Sequence, residues 1–176
     1  MGNSAPSYAN CKTNPFPEEQ LSTVIQLVEC LKMEHNIKNF NIVGHSDIAP
    51  SRKIDPGVLF PWHELANENL GLYSRAHAIP NKVLYKYGDE TEDIEFLKKN
   101  LTHYGYKIKN QVEENEKVFD ENLSVVVRAF HFHFNVDVVE EGFAWDDWTA
   151  TDAMRLEELI LMKEQELLEN EEAICV

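Results

Sequence analysis

Cysteine is scarce in this 176-residue chain. The three it has, Cys11, Cys30 and Cys175, lie far apart, are odd in number and fall outside any CxxC spacing. That argues against a disulfide framework and against a thiolate zinc site, and leaves them as free thiols. Basic residues are also few: 16 Lys and Arg stand against 31 Asp and Glu, for a formal net charge of -15. A protein that tracks phosphates needs clustered cations, so nucleic acid is not an expected partner. No run approaches the roughly eighteen consecutive apolar residues of a membrane span. Nor does the N-terminus carry the basic-then-apolar pattern of a secretory signal, so the chain as written is expected to lack a span and to stay in the cytoplasm where it is made.

What is present is enough for a folded protein. Hydrophobic residues make up 43% of the chain, sufficient to build real cores. Charge is unevenly placed: residues 1–81 carry 6 basic and 8 acidic residues (net -2), and residues 82–176 carry 10 and 23 (net -13). This shift predicts two units, 1–80 and 81–176, with Pro80 near the boundary.

The first 17 residues, rich in Pro, Asn and Ser, read as loop. From Glu18 the spacing turns helical, with Leu21, Val24, Ile25, Val28 and Leu31 on one face and an end near His35 and Asn36. Phe40-Asn41-Ile42-Val43 alternates weakly and ends in β-branched residues. It predicts a short strand with Gly44 and His45 at its C-terminal end, where α/β folds tend to build sites. Residues 46–61 hold three prolines and one glycine and read as a long ordered loop, followed by a short helix from Trp62 to Leu70 stopped by Gly71.

Three helices are predicted after the connector at 72–88. The first, Asp89 to Tyr104, opens with Asp89 and Glu92 in capping-box spacing, buries Ile94, Leu97 and Leu101, and stops at Gly105. The second, Asn122 to Phe134, buries Leu123, Val126, Val127, Phe130 and Phe134. The third, Thr149 to about Asn170, opens with Thr149 and Asp152 in the same capping spacing. Its acidic end, Glu164 to Glu172, reads as a solvated, fraying tail.

The stretch from Gly44 to Trp62 carries the chemistry. His45 and Asp55 are candidate metal ligands, because an imidazole nitrogen and a carboxylate oxygen suit Zn²⁺. Pro50 and Pro56 stiffen the loop between them and Gly57 permits the turn that follows. Lys53 stands two residues before Asp55, where its charge could face an oxyanion. On spacing alone the ordinary alternatives stay open: a packed histidine and a turn-forming aspartate.

The run GHSDIAPSRKIDPGVLFPW resembles the signature of the zinc-dependent N-acetylmuramoyl-L-alanine amidases of the AmpD and AmiD type, relatives of the peptidoglycan recognition proteins. The similarity extends back over PFPEEQLSTVIQLVECL and forward to FPWHELANENLGL. A looser similarity links Leu101 to Tyr106, Val126 to Phe134, Gly142 and Thr149 to a helical peptidoglycan-binding domain. The resemblance implies an α/β fold: the C-terminal half of a mixed-sheet amidase domain followed by a small three-helix domain. It implies zinc held by His45 and Asp55, catalytic assistance from Lys53, and peptidoglycan or muropeptides as partner, cleaved between N-acetylmuramic acid and L-alanine. Relatives of this kind occur in the cytoplasm and in the envelope.

The family also uses a further zinc histidine and a catalytic glutamate on earlier strands, and neither has a counterpart here. Three readings follow. The chain is part of an amidase; or it is a non-catalytic peptidoglycan-binding protein using Tyr104, Tyr106, Trp145 and Trp148 against sugar faces; or it complements a separate N-terminal amidase fragment. For the four aromatics the competing expectation is ordinary core packing. His133 is expected to pack within its helix, and His131 and His133, two apart, are not expected to share a metal.

Overall fold

A computed structural model describes residues 14–109 and 115–174, with side chains placed through Glu169. Cys11 and Cys175, and the first 13 residues of the expected loop over 1–17, lie outside the described residues; Cys30 is a free, exposed thiol.

The first helix, α1, spans Glu18–His35 and ends on Asn36 in the left-handed region, φ +50°. Its apolar face is only half covered. Leu21, Ile25 and Val28 pack against Trp62, Leu65 and Leu70, whereas Leu31, on the same face, stays 38% exposed. The segment after it is not the expected strand: Asn39–Asn41 forms one 3₁₀ turn, followed by Ile42 in extended conformation. A strand needs a neighbour for its backbone groups. Here the local demand is met otherwise, with Ile42 N–H on the Asn39 carbonyl and the Asn39 N–H on the Glu166 carboxylate at 2.9 Å.

A one-turn helix, α2 (His45–Ile48), comes next, so His45 opens a helix and does not close a strand. Helix α3 (Trp62–Asn67) is shorter than expected, because Leu70 N–H returns to the Leu65 carbonyl while Asn69 takes φ +59° ahead of Gly71. Strand β1 (Val83–Tyr85) then pairs antiparallel with β2 (Trp148–Thr149). That two-stranded ribbon is the only sheet among the described residues, so the protein is helix-rich with a small sheet.

Three long helices build the main core. Helix α4 (Glu92–Tyr104) is capped by Thr91, whose hydroxyl accepts from Asp93 N–H, not by Asp89; it ends at Gly105, whose φ of +141° disfavours any residue with a side chain. Helix α5 (Glu121–Phe134) is capped by Asp120, which accepts from Leu123 N–H at 2.9 Å. Helix α6 (Ala150–Ile174) opens on the expected box, with Thr149 N–H on Asp152 at 2.7 Å and Asp152 N–H returning to the Thr149 hydroxyl. Ile94, Leu101, Phe119, Leu123, Val126, Val127, Phe130, Phe134, Trp148 and Leu159 are essentially closed to solvent.

On α6, Met154 faces solvent at 45% exposure, and Arg155 and Leu156 take the inward positions. One expectation about this region needs correction. The acidic end of α6 is not wholly solvated, because Glu166 holds the backbone of Asn39. A buried polar centre adds to the apolar core. Asp152 accepts from His131 Nε2 at 3.0 Å and Asn135 Nδ2 at 2.6 Å, and His131 Nδ1 meets the Trp145 carbonyl at 2.9 Å.

Candidate functional site

The predicted pair meets. Nδ1 of His45 donates to Oδ2 of Asp55 at 3.0 Å, with the two side chains 45% and 47% exposed. Ser46 N–H on the Asp55 carbonyl at 2.9 Å joins the two ends of the intervening loop. Lys53 N–H closes on Ala49 at 3.0 Å, and Gly57 takes φ +93°, the backbone freedom its turn requires. Partial burial pushes the Asp55 carboxyl up, but its own backbone N–H, His45 and the charge of Lys53 outweigh this and hold it below the usual carboxylate value. The charge of Lys53 is the smallest of these contributions.

Among the described residues no third His, Cys, Asp or Glu joins His45 and Asp55 in a cluster that could hold a metal. The donors fit two corners of a zinc site, where catalytic zinc normally has three protein ligands, and do not complete it. Three other histidines have neighbours elsewhere: His77 faces Glu141 at 3.8 Å, His103 bonds Glu164 at 3.0 Å, and His63 lies 6.1 Å from the Tyr73 ring.

Sequence reasoning missed Asp47. Its carboxylate is 8% exposed and reaches back to Gly44 N–H at 2.7 Å, as an N3 acid does in a capping box. It also accepts from Tyr106 Oη at 2.7 Å and His133 Nδ1 at 2.8 Å. The capping half was visible as Gly44 three residues before an acid; the partners 59 and 86 positions away were not. His133 is buried as expected, but as a hydrogen-bond donor stacked 3.8 Å from both Trp62 and Phe134. Tyr106 and Trp148, offered as sugar platforms, are core residues at 4% and 2% exposure.

Gly44 has no space for a side chain. An added Cβ would lie 3.0 Å from Cδ of Pro56, 3.1 Å from Cζ2 of Trp62 and 3.2 Å from Oδ2 of Asp47. Its φ of -79° suits any residue, so crowding alone is the obstacle. Gly44→Ala is expected to cost about 1–3 kcal/mol, the usual range for overpacking, measured as a fall in the urea midpoint at unchanged slope.

Residues 2–58 match the family of N-acetylmuramoyl-L-alanine amidases. Gly44, His45, Lys53 and Asp55 lie inside that match, and the chain is related to the amidases of the AmpD and AmiD type. It is 33% identical over 120 residues to the N-acetylmuramoyl-L-alanine amidase AmiD of Escherichia coli K12, covering 68% of this chain and 41% of that protein. Among solved structures it resembles E. coli AmiD in complex with the substrate anhydro-N-acetylmuramic acid-L-Ala-D-gamma-Glu-L-Lys. The TM-score is 0.65 at 27% identity, over 89% of this chain and 56% of that one. AmpDh3 of Pseudomonas aeruginosa shares the fold, with a TM-score of 0.59 at 21% identity over 84% and 54% of the two chains. The chain thus spans about half the length of the proteins it matches. No helix among the described residues is long and apolar enough to cross a membrane.

Proposed function

We propose that this chain carries the metal-loop half of a peptidoglycan amidase that hydrolyses the bond between N-acetylmuramic acid and L-alanine. The observation that carries the reading is the 3.0 Å approach of His45 and Asp55 inside the segment that matches the amidase family. His45 and Asp55 are the two zinc donors, and Lys53 places its charge where an oxyanion develops. When bound, zinc supplies a Lewis acid and a water with pKa lowered toward about 7. To hold zinc, both donors would have to be free of their protons, so zinc uptake would weaken as pH falls.

A third donor and a general base come, in this reading, from a separate N-terminal fragment. Such a fragment would meet Ile48, which ends the helix that carries His45 and is 69% exposed. Residues 81–176 then form the helical, wall-binding-like part. The non-catalytic reading is less well supported, since two of its four aromatics are buried in the core.

Co-expression with an amidase segment bearing a strand-borne His and Glu tests this reading. The complex is expected to hold one zinc per chain and to release peptide from an anhydromuropeptide, and His45→Ala or Asp55→Ala is expected to abolish both. Zinc content unchanged in those variants would remove the ligand assignment.

A further inference from the structure

Exposed ligands on a one-turn helix hold their geometry only as well as their backbone is held. Helix α2 has four residues, too few to be stable alone. Its support comes from the far end of the chain. Asp47 lies two residues after His45 and takes Tyr106, just beyond α4, and His133, in the last turn of α5, on its two carboxylate oxygens.

Each part of this contact is fixed. A carboxylate this buried is stable only when hydrogen-bonded, and its three donors at 2.7, 2.7 and 2.8 Å have the short lengths of charge-assisted bonds. Burial and the Asp47 charge push the Tyr106 phenol well up, which keeps its hydroxyl a donor. The His133 ring is held between Trp62 and Phe134, each 3.8 Å away, so it cannot turn aside. Among the described residues its Nε2 meets no partner, which leaves Nδ1 and Asp47 as its hydrogen bond. Trp62 in turn closes on Gly44, the residue before His45.

We propose that Tyr106 and His133 are positioning residues for the His45–Asp55 pair, acting through Asp47. The helical part of the chain then serves the metal loop directly as its foundation, beyond any contact it makes with the wall. The inference rests on the zinc reading above and extends it to residues outside the matched family segment, which ends at residue 58.

The test uses the full chain and two measurements: zinc titration of its complex with the co-expressed amidase segment, and the ¹⁵N resonances of the His45 ring in the chain without metal. Tyr106→Phe removes one oxygen and keeps the ring; His133→Phe keeps the stack and removes the donor. In both variants, zinc affinity is expected to fall about tenfold or more, the usual effect of losing support behind a metal ligand. The His45 Nδ1 signal is expected to lose the shift produced by its bond to Asp55. A lower melting temperature with unchanged His45 signals and unchanged zinc affinity would overturn the proposal, since a merely structural role moves only the first. Asp55→Ala separates the two claims: affinity unaffected there refutes the zinc reading, while the metal-free His45 signal still judges the anchor.

Discussion

Asp152→Ala is expected to lower stability by about 3–5 kcal/mol, the range for breaking a buried pair by removing one partner. The His131 ring is fully buried with its two nitrogens facing the Trp145 carbonyl and the Asp152 carboxylate. The ring thus bridges a carbonyl and a carboxylate with no exposure to water. Removing Asp152 leaves His131 Nε2, Asn135 Nδ2 and Thr149 N–H without the carboxylate they share. With total stability for a domain of about 5–15 kcal/mol, one substitution can consume a large share of it. Differential scanning calorimetry and urea titration measure the loss; a change below about 1 kcal/mol would contradict the network's role.

The same carboxylate sets an acid limit. Burial pushes its pKa up, but His131, Thr149 and Asn135 outweigh burial and leave it below the ordinary value. A group whose folded pKa is depressed contributes fully above its unfolded value, near 3.9, and loses that contribution as pH falls through the lower folded value. The difference between wild type and Asp152→Ala is therefore expected to be constant near neutrality and to shrink only below about pH 4.

Trp62→Ala is expected to cost about 3–5 kcal/mol, as for other large-to-small changes at buried aromatics. Trp62 is 7% exposed, meets Phe60 edge-on at 4.6 Å and His133 face-on at 3.8 Å, and stands against Gly44. It heads the small apolar cluster under α1 and touches the main core through His133. Its removal therefore loosens both clusters, and the urea transition is expected to broaden as well as shift. A narrow transition at the wild-type midpoint would show that the two clusters do not communicate through this ring.

Helices α1, α4, α5 and α6 are legible in the sequence to within a few residues, because apolar periodicity and caps are local properties. The Thr149 and Asp152 box is a case where both members lie three residues apart and need nothing else. The strand expected at Phe40 to Val43 fails for the opposite reason, since β-branched residues favour extension but cannot supply the neighbouring strand. In the site, His45 and Asp55 meet because one short loop carries both, with Lys53 between them in sequence. Asp47, Tyr106 and His133 could not be assembled that way. The one visible hint is a pair of histidines inside the apolar run VVRAFHFHF, where a buried imidazole must find a partner from somewhere distant.

The hydrogen bond between Asn39 N–H and Glu166 spans 127 positions. Drawn from an unfolded chain, closing so long a loop would cost on the order of 4 kcal/mol of entropy, far more than one exposed-side hydrogen bond returns. The contact therefore forms only after α4, α5 and α6 have assembled and α1 has docked, which places it late in folding and outside the nucleus. Late contacts leave folding speed untouched and act on the rate of unfolding. The last turns of α6 thus work as a latch, closing once the rest is built and slowing its reopening.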